Sequence, residues 1–112
     1  MSFRLYHLQR ATALVLAPLV LAHLFVIFYA TSKGLSAASI LSRTRGSDGW
    51  AAFYGLFVLA AAIHGAIGLR NVLAEWGPAP LARNPRALEA IVWTLALALG
   101  ALGLRAVYAV VA

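Results

Sequence analysis

Two histidines stand inside long apolar runs: His23 in Leu21-Ala22-His23-Leu24-Phe25, and His64 in Ala62-Ile63-His64-Gly65-Ala66. An imidazole is costly to place in lipid, so an intramembrane histidine marks a functional site by default. Two of them, in runs with almost no other polar group, suggest a bound metal centre. Ala60 and Gly68, the i−4 and i+4 neighbours of His64, share its helix face. Small residues there leave room for a flat macrocycle, which points to haem. The competing reading is that they only let helices pack closely, as small-xxx-small faces do. His23 has bulkier same-face neighbours, Leu19 and Ile27, and a helix–helix hydrogen bond is the alternative to ligation there.

Composition says which solvent these runs meet. The chain has 112 residues, 63% of them hydrophobic and only three acidic. A soluble domain of this length leaves much of its surface exposed and could not bury so much apolar area. Lipid resolves the conflict. Cysteine is absent, which excludes disulfides, iron–sulfur ligation, thiolate-bound zinc and covalent haem attachment. The formal charge of +6 comes from basic residues that flank the apolar runs. They read as topology signals and headgroup contacts, and no basic stripe with interleaved aromatics suggests nucleic acid.

A span needs about 20 apolar residues, and three windows qualify, at about 11–31, 50–72 and 88–110. The fold class is therefore an all-α membrane protein with three transmembrane helices, in one domain covering 1–112. The first window is longer than the apolar core of a cleaved signal, and Phe28-Tyr29-Ala30 is a poor cleavage site. It reads as a retained helix that Pro18 kinks. In the first loop Ser36 can cap a short helix whose Ile40 and Leu41 rest on the membrane interface. Gly77-Pro78-Ala79-Pro80 ends the second helix, and Asn84-Pro85 supplies the cap and first position of the third. Glu89 is expected in its opening turn, at the positive end of the helix dipole.

Arg4, Arg10, Arg70, Arg83 and Arg86 lie on the N-terminal and second-loop side, against Lys33, Arg43, Arg45 and Arg105 on the other. The bias favours a cytoplasmic N-terminus. His23 then falls in the outer leaflet and His64 in the inner, separated in depth by about 10 Å at 1.5 Å per residue. One iron cannot take both rings, so each needs a partner ligand from another subunit. His7, before the first window, reads as interfacial, near a propionate.

His64-x-x-x-Gly68-x-Arg70-Asn71-Val72-x-x-Glu75 resembles the His-x-x-x-Gly-x-Arg-His-Leu-x-x-Asp signature of the cytochrome b anchors of succinate:quinone oxidoreductases. Leu8-Gln9-Arg10-Ala11-Thr12-Ala13 resembles the Arg-Ala/Val-Thr/Ser-Ala segment opening helix one of the small anchor subunits. The resemblance covers nearly the whole chain. It implies haem b as cofactor and quinone as substrate, with His64 as axial ligand and Arg10 near the propionates and the quinone pocket. It also implies a flavoprotein, an iron–sulfur subunit, and a second anchor chain or second copy of this one completing a larger helical bundle. The chain would be an electron-transfer subunit without catalysis of its own, working as succinate dehydrogenase or fumarate reductase in a bacterial inner membrane. Diheme members carry ligands on helices one and two, as His23 and His64 stand here.

Glu75-Trp76 replaces the Asp-Tyr that such anchors often carry. An indole donates a hydrogen bond but cannot pass on a proton as a phenol can. Trp76 is thus a quinone contact or simply an interfacial belt residue. With Arg70 and Glu75 it would line the pocket beside Arg10. Two readings stay open: a haem-free structural anchor that binds quinone, and a diheme subunit of another quinone-linked dehydrogenase. A small proton-coupled transporter is disfavoured, because Asp48, Glu75 and Glu89 all lie at span ends.

Overall fold

The computed structural model describes residues 2–112, and among these it contains helices and turns only. Three long helices are apolar enough to cross a membrane: α1, Phe3–Lys33; α3, Asp48–Trp76; and α5, Pro85–Val111. Two short ones intervene, α2 at Ala37–Thr44 and α4 at Ala79–Ala82. The apolar windows at 11–31, 50–72 and 88–110 fall inside the long helices, which run beyond them. At 31 residues α1 is about 46 Å long, well over the roughly 30 Å of a hydrocarbon core. Its ends, with Arg4 and Lys33, therefore reach the headgroup layers. α1 runs unbroken through Pro18.

The helix ends follow local chemistry. Ser2, Ser36, Ser47 and Asn84 each accept a backbone N–H from the first turn they precede, capping α1, α2, α3 and α5. These bonds satisfy donors that a helix start leaves orphaned. Two expectations need correction. Glu89 lies just past the first turn of α5, and its carboxylate accepts the Trp93 indole N–H at 2.9 Å. Ile40 lines the cavities between α2 and the long helices instead of resting on the interface. The Gly77–Arg83 linker is not plain loop either: Pro78 and Pro80 sit at the start of a single turn, α4.

α3 is the middle helix, packed on both α1 and α5. A buried cluster of Leu5, Ala66, Ile67 and Val92 ties the start of α1 to the end of α3 and the start of α5. At the other end, α2 is strapped to the end of α5. Thr44 donates to the Val110 carbonyl at 2.6 Å, and the Gly46 N–H donates to that of Val111 at 2.7 Å. Gly46 has φ +72°, a left-handed turn that a side chain would strain. Most of α1 remains exposed, including Leu14, Leu21, Phe25 and Phe28.

α3 and α5 approach closely where Gly103 faces Val58: a Cβ there would run into both Val58 methyls. Gly100, one turn earlier, has open space. Gly103→Ala should therefore lower the thermal unfolding temperature of the detergent-purified protein, at a cost of about 1–3 kcal/mol. Gly100→Ala should leave it unchanged or slightly raised. Equal behaviour of the two variants would disprove the close approach.

Candidate functional site

His64 is half-buried on the α1-facing side of α3. Its Nδ1 lies 3.1 Å from the Thr12 hydroxyl oxygen and 3.3 Å from the Gln9 carbonyl oxygen. Thr12 is itself buried, 7% exposed, and its hydroxyl also reaches back to the Leu8 carbonyl at 2.8 Å. A carbonyl can only accept, so Nδ1 facing Gln9 is on the donor side of the ring. No hydrogen-bond partner reaches Nε2 among the described residues. The ring is thus held at one nitrogen by its own chain and open at the other, the donor arrangement of a singly ligating imidazole.

The small neighbours of His64 differ in their surroundings. The Gln9 amide nitrogen lies 3.5 Å from where a Gly68 Cβ would stand, and Ala60 is buried. Gly68 therefore lies in van der Waals range of the Gln9 side chain of α1. Neither Thr12 nor Gln9 is a residue that the sequence singled out as a partner of His64. The signal lay in the Gln9-Arg10-Ala11-Thr12 segment, but only the antiparallel register of α1 against α3 brings it to the ring.

His23 has different surroundings. Its ring meets Tyr54 edge-on at 6.1 Å and Phe57 at 5.3 Å between centroids. Neither nitrogen has a hydrogen-bond partner among the described residues. Tyr54 and Phe57 precede His64 on α3 by a rise of roughly 10–15 Å, so the two imidazoles stand at separate levels. His23 also lines a cavity of about 230 Å³ with Arg43, Trp50 and Tyr54. No three potential ligands from histidine, cysteine, aspartate or glutamate come together among the described residues.

The other candidates share the end of the bundle where α1 begins and α3 stops. Arg10 is exposed, with its guanidinium 5.8 Å from the Tyr6 ring centre. His7 is exposed between Phe3 and Tyr6, whose rings lie 4.2 and 5.5 Å away. Arg70 donates to Asn71 Oδ1 at 3.3 Å, but its Nε is buried without a partner, as is Gln9 Oε1. Glu75 is exposed, and Trp76 is 85% exposed. These residues occupy one end of the bundle. The unpaired buried Arg70 donor and Gln9 acceptor are polar groups that a ligand or partner chain would satisfy.

A family model described as the succinate dehydrogenase/fumarate reductase transmembrane subunit matches residues 2–104. No curated protein and no solved structure matches the chain.

Proposed function

This chain belongs to the succinate dehydrogenase/fumarate reductase transmembrane subunit family, and from that membership we propose that it is a haem b-binding anchor passing electrons from an iron–sulfur subunit to quinone. The observation that carries this reading is the state of His64, bonded at Nδ1 to α1 and open at Nε2. That is what an axial ligand requires: its tautomer and ring plane set by a second partner, its other lone pair free. Haem, when bound, supplies a one-electron store between the soluble subunits and quinone.

The chain's own residues have distinct tasks in this scheme. His64 would supply one nitrogen to the haem iron, and another subunit would supply the second. Arg10 and Arg70, permanently charged, neutralise propionates or hold a quinone oxygen. The unpaired Arg70 Nε–H is a donor already desolvated for that purpose. Trp76 presents an indole N–H to quinone, with Glu75 beside it and His7 at the propionate side. His23 ligates a second haem at the opposite level: both of its nitrogens lack partners in a segment with no water to replace them. The three-helix chain pairs with a second anchor chain or second copy, on which a flavoprotein and an iron–sulfur subunit dock. The setting is a bacterial cytoplasmic membrane, with the N-terminus of α1 on the cytoplasmic side.

Three outcomes test this. The purified complex should show the reduced spectrum of a b-type haem, and His64→Ala should abolish a low-spin bis-histidine signal. An unchanged low-spin spectrum in that variant defeats the assignment. If His23 is a ligand, haem quantification should give two haems per pair of anchor chains, and His23→Ala should remove one of them. A single haem indifferent to that change returns His23 to aromatic packing against Tyr54 and Phe57. At the quinone end, Arg10→Leu should impair quinone reduction far more than succinate oxidation by a soluble dye. Trp76→Phe keeps the ring and loses the donor, so it should cost about 1 kcal/mol in apparent quinone affinity. Unaltered quinone kinetics in Trp76→Phe would leave Trp76 a belt residue.

A further inference from the structure

We propose that Thr12 is a positioning residue for the haem site: its hydroxyl oxygen accepts the His64 Nδ1 proton, fixing the tautomer and making the imidazole a stronger donor to iron. The inference rests on the haem reading above and assigns a role to a residue that reading does not use.

Proton bookkeeping at Thr12 carries it. Its oxygen lies 2.8 Å from the Leu8 carbonyl, 3.0 Å from the Gln9 carbonyl and 3.1 Å from His64 Nδ1. The hydroxyl has one proton to give and lone pairs to receive. Both carbonyls can only accept, so without that proton Thr12 would face two acceptors at hydrogen-bond distance. Given to these carbonyls, the proton is not available to Nδ1, and only a threonine lone pair is left to meet the ring at 3.1 Å. If Nδ1 were bare instead, it would confront the Gln9 carbonyl at 3.3 Å with lone pair against lone pair. With the hydroxyl proton shared between the two carbonyls, the proton on Nδ1 meets the Thr12 oxygen and the Gln9 carbonyl without opposing lone pairs, and the ring's lone pair falls on Nε2.

Back-bonding to a carbonyl one turn earlier is common for a threonine within a helix. Thr31 does the same to Ile27 while exposed, with no second helix in reach of its hydroxyl. Thr12 differs in being buried and in meeting a ring nitrogen of another helix. An acceptor on the far nitrogen raises the basicity of a ligating imidazole. Greater basicity favours the ferric over the ferrous state, so the bond should hold the midpoint potential down.

The test uses the assembled native complex and Thr12→Val, which keeps the shape and removes the hydroxyl. Haem content, the low-spin electron paramagnetic resonance signal and the midpoint potential are measured together. Thr12→Val should keep its haem but raise the potential, shifting the ferric-to-ferrous ratio at fixed ambient potential by about fivefold, the scale of one hydrogen bond. Thr12→Ser should restore the native potential. A haem-loaded Thr12→Val at native potential overturns the inference while leaving the haem reading intact. If Thr12→Val fails to assemble, Thr12→Ala removes the hydroxyl without a branched replacement and is judged by the same rise or its absence. A native complex without haem overturns the haem reading itself, and this role with it.

Discussion

A polar atom inside a bilayer has no water to turn to, and that constraint organises this chain around His64. Removing an amide or hydroxyl from water without a compensating bond costs several kcal/mol on the hydrocarbon scale. The chain meets the cost at Nδ1 by placing Thr12 and the Gln9 carbonyl against it. That contact joins α1 to α3 across a long loop, with the Gln9 side chain beside Gly68 at the same level. The cluster of Leu5, Ala66, Ile67 and Val92 lies at the same end. Polar bond and apolar packing therefore hold one end of α1 in register, while most of its length stays exposed.

Association in lipid gains little from the hydrophobic effect, since acyl chains are as apolar as leucine; close packing and specific bonds decide it. α3 and α5 meet this with Gly103 against Val58, and α2 adds the Thr44 and Gly46 bonds to the end of α5. Each fastening lies where a small residue or a helix-end carbonyl permits close approach. The carbonyls of Val110 and Val111 are among those a helix terminus cannot satisfy internally. The strap from α2 resolves the end of α5 and closes the fold at its far side.

Apolar run length made the three spans legible in the sequence, and capping chemistry made Ser36 and Asn84-Pro85 legible. Those signals are local. What was not legible depends on register between helices. Nothing near Thr12 says that it will stand beside His64, and nothing near Gly68 says that Gln9 will lie beside it. Run periodicity likewise cannot show that Ile40 turns to the bundle, because an amphipathic turn has an apolar face whichever surface receives it. Glu89 was placed in the first turn by its nearness to Pro85, yet the Trp93 indole lies one turn further and takes its carboxylate. α4 was hidden by its prolines, which end a helix from within but suit its first turn.

The two imidazoles differ in how much of their environment the chain itself supplies. His64 has an internal acceptor at one nitrogen; His23 has only ring edges, Tyr54 and Phe57, at hand. Under the haem reading, this asymmetry separates the two positions in kind. A ligand with a fixed tautomer presents its lone pair without further ordering, so the ring is preorganised before any partner arrives. A ring without such a bond must acquire its orientation from what binds it, including whatever the second anchor chain contributes. On that reading His64 is the position at which this chain alone would tune a bound iron, and Thr12 is the residue proposed to do so.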